Sequence, residues 1–407
     1  MTARHIASAV IIAGALGFAG PATAQDDPIK IGVLLPLSGG LAASGEDALH
    51  GFELYWNQAG MEAGGRPIEI ISADTSCNPD NAINAARRLA FNDEVDFLVG
   101  PLCGHEGPAV AQVSGDTGLP LLLVPAAADS QTKWDRVPTV VRTGFSSSQD
   151  SHPFGEFLYN DLGLRNVTFV GQDYTYGQEK TLGAVRTFEA LGGKVDDIIW
   201  VPLSATDYGP VLASVPSGTE AVVPVVVGAH RNRFFETWFD FGYDRRFQLV
   251  GLNLLQADAL KAVDDRAVGL ISVAQNYSQG IDTPENKAFI DSFVEAYGEV
   301  PSYFAEMMFT TAKWAHQAID AIDGDVSDRD AFLAAVREAE VVGPRGPVKL
   351  DEYDNPIQNT YISRVERVDH PKLGSVLMNV PVKTIENVSQ FWTEDPEAFL
   401  ARGPYQR

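Results

Sequence analysis

Cys77 and Cys103 are the only cysteines in 407 residues. They stand in Thr75-Ser-Cys-Asn-Pro-Asp80 and Gly100-Pro-Leu-Cys-Gly-His-Glu-Gly107. A cysteine pair can hold a metal, react, or oxidise to a disulfide. A structural zinc needs about four ligands, and no second cysteine pair or paired histidine supplies the remainder. His105-Glu106 is not followed by the second histidine of a zinc-protease helix. Gly144-Phe-Ser-Ser-Ser148 lacks nucleophile-elbow spacing, and the glycine-rich Ser38–Gly45 carries no lysine to reach a phosphate. No catalytic residue, metal or cofactor is therefore expected. The chain reads as a binder rather than an enzyme.

The N-terminus sets the compartment. Arg4 precedes an apolar stretch from Ile6 to Phe18, and Ala22-Thr-Ala24 offers the small-x-small pattern that signal peptidase needs. Residues 1–24 are expected to be a signal peptide cleaved before Gln25, and no cysteine follows to carry a lipid anchor. In an oxidising compartment a lone cysteine pair most simply forms one disulfide. The formal charge of −24 disfavours nucleic acid and anionic membrane surfaces as partners. A chain this long exceeds the size at which single cores stop growing, so two domains are expected.

The elements that must position any site alternate along the chain. Lys30–Leu35, Pro67–Ile71, Phe97–Gly100 and Leu119–Val124 read as strands. Between them, Ala48, Phe52, Tyr55, Trp56 and Ala59, and later Ala82, Ala86 and Leu89, recur at helical spacing. A second series runs through Asn166–Val170, a helix at Glu179–Leu191, Asp197–Val201, Ala221–Val227 and Phe247–Gly251. Strands separated by helices imply right-handed crossovers and parallel sheets covered on both faces. The fold class is α/β, with two doubly wound lobes. Ligands of such sheets bind beyond the strand C-termini. The segments there are 38–45 (with Ser44), 100–107, 125–131, 172–177, 228–233 and 252–256. The cysteine loops follow Ile68–Ile71 and Phe97–Val99, which are expected to be neighbouring strands.

Ile31-Gly-Val-Leu-Leu-Pro-Leu-Ser-Gly39, Asp74, Ala86-Arg-Arg-Leu89, Val99-Gly-Pro101, Arg142-Thr143, Asp173-Tyr-Thr-Tyr-Gly177 and Gly343-Pro-Arg-Gly-Pro-Val348 follow one another in order. Together they resemble the leucine/isoleucine/valine-binding protein family, the type I periplasmic solute-binding proteins of ABC importers. The resemblance covers nearly all of the chain after residue 24. It implies a periplasmic, monomeric protein that closes on a small solute and docks on a membrane permease. It implies three crossing segments, with residues 25–145 and 276–355 in a first lobe and 146–275 and 356–407 in a second. It also places Cys77 and Cys103 where the family carries its disulfide.

The family's ligand-contact positions fall here on Gly104, on the Ala126-Ala127-Ala128 loop, on Tyr176, on His230 and on Asn253. A serine that holds the ligand carboxylate is replaced by Gly104. The acid that receives the ligand ammonium is replaced by Asn253. A buried ammonium without a carboxylate costs several kcal/mol, so this loss argues against a simple α-amino acid. His230, Arg231 and His105 add donors that suit a carboxylate, which arginine grips bidentately. A small organic acid, aromatic acids included, becomes a candidate beside amino acids. Asp173 is the competing feature: it either holds an ammonium in the cleft or caps the following helix.

Overall fold

The computed structural model describes residues 27–406 apart from 262 and 274, and the leader and its cleavage site lie outside them. The first sheet contains β1 (Ile29–Leu35), β2 (Glu62–Ala63), β3 (Arg66–Asp74), β4 (Phe97–Gly100), β5 (Leu121–Leu123) and β6 (Val140–Arg142). Its order is β2-β3-β1-β4-β5-β6, all parallel except the short β2–β3 hairpin. One expectation is corrected here. β3 and β4 are not neighbours: β1 lies between them, with Ile31 paired to both Ile70 and Phe97. A doubly wound sheet starts from an inner strand and grows outward on both sides, so the second and third long strands flank the first. The disulfide between Cys77 and Cys103, with Cα atoms 5.6 Å apart, therefore spans the C-terminal end of β1.

The second sheet holds β7 (Asn166–Gln172), β8 (Lys194–Val201), β9 (Ala221–Val225), β10 (Gln248–Leu252) and β11 (Ile271–Val273), all parallel. It continues through β12 (Val341–Gly343), β13 (Gly346–Leu350), β14 (Pro356–His370) and β15 (Gly374–Val388). β14 runs antiparallel to β11 and pairs with β15 from Gln358 opposite Val388 to His370 opposite Gly374. The second lobe is thus a mixed sheet. The long hairpin escapes the sequence reading because only three residues of β15 are buried and its apolar stretches, 376–378 and 380–382, are short and partly solvated, unlike buried parallel strands.

Apolar residues segregate into separate cores. Phe52, Trp56, Phe97 and Trp314 are fully buried around the first sheet, while Phe154, Phe169, Phe188 and Trp238 are buried around the second. Phe52 and Trp56 are core, as their helical spacing indicates.

Three segments, residues 143–150, 275–283 and 351–355, connect the parts of the chain around the two cores; β13 pairs with β14 of the second sheet, but Val341 and Val348 of β12 and β13 pack into the first core. The first of these crossings is polar yet buried: Ser146, Ser147, Ser148, Gln149 and Asp150 have no exposed surface. Buried polar groups are mostly hydrogen-bonded, and the crossings bond to their surroundings and to one another. Gln149 Nε2 donates to the carbonyls of Pro356 at 2.7 Å and Val388 at 2.8 Å. Gln358 Nε2 donates to the Gly144 carbonyl at 2.8 Å, and Asn276 Nδ2 to that of Asn359 at 2.9 Å. Residues 389–406 lie across both lobes. Trp134 Nε1 donates to the Leu400 carbonyl at 3.1 Å, and Tyr405 Oη meets His152 Nε2 at 3.0 Å.

Candidate functional site

The strand-end loops of both lobes enclose a cavity of about 210 Å³. From the first lobe come Leu41 and Ser44 after β1, Cys103, Gly104 and His105 after β4, and Ala127 after β5. From the second come Tyr174 and Tyr176 after β7, Leu203 after β8, and Gly228 and Arg231 after β9. Two motif glycines let the helices start there. A Cβ on Gly45 would lie 2.0 Å from the Pro36 carbonyl oxygen, and one on Gly177 would lie 2.1 Å from that of Gln172. Both helices sit directly on a strand end, and only glycine permits the approach.

Phe145, Tyr303 and Phe304 complete an aromatic wall with Tyr174 and Tyr176. The Tyr303 and Phe304 rings are 4.0 Å apart and those of Tyr174 and Tyr176 6.0 Å apart, centroid to centroid. Sequence reasoning missed Phe145, Tyr303 and Phe304 as site residues. Phe145 follows β6, a three-residue strand absent from the sequence reading, and Tyr303 opens the helix Tyr303–Ala321, which follows no strand of the parallel series.

Arg231 is buried, donates from Nε to the Val226 carbonyl at 3.3 Å, and borders both this cavity and a larger outer cleft lined by Ser44, His50 and Lys261. Gly104 leaves open space: a Cβ there would find its nearest neighbour, the Ala127 nitrogen, at 4.0 Å. His105 is exposed at the rim, with Nε2 3.0 Å from the Cys77 carbonyl.

Five expected contacts lie outside the cavity lining. Ala126 and Ala128 do not line the cavity. Ala126 N–H is spent on the Pro101 carbonyl at 3.0 Å, and Arg142 holds the Ala126 and Ala128 carbonyls at 2.7 and 2.6 Å. Successive residues of an extended loop face opposite ways, so Ala127 alone turns inward. Asp173 lies outside the lining and accepts from Gln178 Nε2 at 2.8 Å. It is not the helix cap either, since Tyr174 holds that position without a side-chain bond. His230 belongs to its own lobe, with Nδ1 3.1 Å from Tyr208 Oη and Nε2 3.2 Å from the Leu203 carbonyl. Burial pushes its imidazole below the usual range. Asn253 lies behind the cavity wall with a left-handed φ of 67°, a conformation asparagine tolerates. Its Nδ2 donates to Tyr176 Oη at 2.6 Å.

A buried polar cluster backs the wall. Gln275 Nε2 also donates to Tyr176 Oη at 2.5 Å, and Gln275 Oε1 accepts from Lys180 Nζ at 2.9 Å. Lys180 is in contact with Asp150 of the first crossing. Burial pushes the Asp150 carboxyl up and the Lys180 ammonium down, and their mutual charge opposes both shifts. Nearby, Lys133 pairs with Asp129 at 2.7 Å, and the Glu179 carboxylate accepts the Asp129 N–H at 3.1 Å, joining the lobes. Burial raises Glu179 to about 8.

Residues 28–369 match the model of a family described as periplasmic binding protein. The chain belongs to the periplasmic binding protein family. It is 28% identical over 357 residues to Leu/Ile/Val-binding protein homolog 6 of Brucella abortus, covering 85% of this chain and 90% of that one. An ABC transporter substrate-binding protein from Sphaerobacter thermophilus superposes with a TM-score of 0.84 at 29% identity, over 89% of this chain and 99% of that chain. A solute-binding protein of an ABC transporter from Rhodopseudomonas palustris BisB5, in complex with 3,4-dihydroxybenzoic acid, gives 0.83 at 26% identity over 90% and 99%. This periplasmic binding protein has the two-lobed α/β architecture of an ABC transporter substrate-binding protein. Among its described residues no helix is long and apolar enough to cross a membrane.

Proposed function

We propose that this periplasmic binding protein captures a small aromatic carboxylate between its lobes and delivers it to the membrane permease of an ABC importer. One observation carries the reading: five aromatic side chains and the buried Arg231 converge on one cavity of about 210 Å³. That volume falls below the roughly 300–1,000 Å³ of drug-sized sites and suits a single substituted ring. Arginine grips a carboxylate bidentately, and the Ala127 N–H beside the open space at Gly104 offers a second donor. Asp173, the competing partner for an amino-acid ammonium, stands outside the lining. The aromatic acid bound by the Rhodopseudomonas palustris relative supports the same ligand class.

Ligand contacts to both lobes favour the closed state, and the crossings supply the hinge. Residues 25–145 with 276–355 and residues 146–275 with 356–407 move as the two bodies. The protein works as an exported monomer, released by cleavage after residue 24. It binds without catalysing and has no nucleic-acid partner. A thermal-shift titration with benzoate, 4-hydroxybenzoate, leucine, isoleucine and valine tests the proposal. An aromatic acid at about 100 times its Kd stabilises the protein by about 2.7 kcal/mol, while the amino acids leave the midpoint unmoved. Tight leucine binding with no response to the acids refutes it.

A further inference from the structure

A phenol oxygen has one proton to give and two lone pairs to receive with. At Tyr176 both lone pairs are occupied, by Gln275 Nε2 at 2.5 Å and Asn253 Nδ2 at 2.6 Å. The Gln275 amide has its direction fixed from outside. Its Oε1 faces Lys180 Nζ at 2.9 Å, and an ammonium only donates, so the NH₂ group must face Tyr176. Lys180 is itself anchored by Asp150, and all three side chains are buried.

Tyr176 is part of the cavity lining. Arg231 borders both the cavity and the outer cleft, whereas Tyr176 lines only the cavity, and its hydroxyl meets residues that line neither. With both lone pairs taken, the phenol has one proton left to donate.

Building on the aromatic-carboxylate reading, we propose that Tyr176, oriented by Gln275 and Lys180, donates a hydrogen bond to a second polar group of the ligand. It thereby selects ring-hydroxylated acids over unsubstituted ones. A site built around a donor rejects the analogue that lacks the matching acceptor, because the buried donor is then left unpaired.

The test is calorimetry with benzoate, 4-hydroxybenzoate and 3,4-dihydroxybenzoate on wild type, Tyr176→Phe, Gln275→Glu and Asn253→Leu, with thermal melts to confirm folding. Wild type is expected to prefer a hydroxylated acid by about tenfold, and Tyr176→Phe to abolish that preference while changing benzoate affinity little. Gln275→Glu keeps shape and the contact to Lys180 but offers the phenol an acceptor, so the preference collapses there too. Asn253→Leu keeps it. If Asn253→Leu instead sharpens the preference, Asn253 was the acceptor of the phenol proton and the proposal is overturned. An unchanged preference in Tyr176→Phe overturns the donor and leaves the aromatic-acid reading intact. No binding of any of the three acids to wild type overturns both.

Discussion

Replacing Glu179 by glutamine probes how the charges buried between the lobes shape the pH profile of stability. Burial, followed by the neighbouring Asp129 carboxylate, raises the Glu179 carboxyl from its ordinary 4.5 to about 8, against the Ser147 hydroxyl, the Asp129 N–H and the Lys133 ammonium. The folded protein therefore keeps this proton up to about pH 8, whereas the unfolded chain releases it near 4.5. Stability from this group is complete below pH 4.5 and falls as pH rises toward 8, by about 1.4 kcal/mol per pH unit. From pH 5 to pH 7 the loss is about 2.7 kcal/mol.

His152 works in the opposite sense. Burial, then the Lys133 charge, lowers its imidazole from 6.5 to about 3, so its contribution grows with pH up to about 6.5. The two slopes offset each other in mild acid, and a net decline emerges above pH 6.5. Asp129, depressed below 3.8 by Lys133 and Ser148 despite its burial, acts only at lower pH. In Glu179→Gln the His152 contribution remains and the Glu179 contribution is gone. Urea unfolding of wild type and variant at pH 5, 6 and 7 reads the difference directly. The gap in unfolding free energy is expected to move in the variant's favour by about 2.7 kcal/mol across that range. Parallel profiles would show that Glu179 stays ionised in the fold, and would refute the reasoning.

Cys77→Ser with Cys103→Ser opens a loop of sequence separation 26 and is expected to cost about 3 kcal/mol in guanidinium unfolding of the oxidised protein. His230→Gln is expected to leave ligand Kd within about twofold, because both ring nitrogens face Tyr208 and Leu203 of its own lobe. Lys261 pairs with Glu299 at 2.5 Å and Lys372 with Glu295, each pair joining the lobes away from the hinge. Replacing both lysines by methionine is expected to weaken ligand binding about two- to fivefold at low salt, with the difference vanishing at high salt in calorimetry.

The architecture was legible wherever burial imposes a period. The stripe of Phe52 and Trp56 and the apolar runs of β1, β4, β7 and β9 announced themselves because both faces of a parallel sheet must be covered. β11 is only three residues long and β14–β15 is half solvated, so neither leaves that signature. At the site, position in the strand-end loops points to Ser44, Gly104, His105, Ala127, Tyr176 and Arg231, all of which line the cavity. The same rule placed His230 and Asn253 there as well, and it erred because neighbours on a helix or loop face different ways. Arg231 turns into the cleft and His230 turns to Tyr208. Orientation within a loop is decided by tertiary partners such as Arg142 behind Ala126 and Ala128, which no local pattern encodes.

The polar interior of the crossings has a mechanical consequence. A hinge of apolar side chains would slide as its segments twist; one of directed hydrogen bonds holds a few discrete arrangements. Tyr176 and Lys180 stand one turn apart on the helix Thr175–Ala190, so they share a face. Lys180 grips Asp150 of the first crossing and Gln275 of the second, and its ammonium lies 5.6 Å from the centroids of both the Tyr176 and Phe145 rings. The wall that touches the ligand and the segments that must twist during closure are therefore joined through a single helical turn. On the proposed function, a ligand that orders Tyr176 is expected to order the crossings with it.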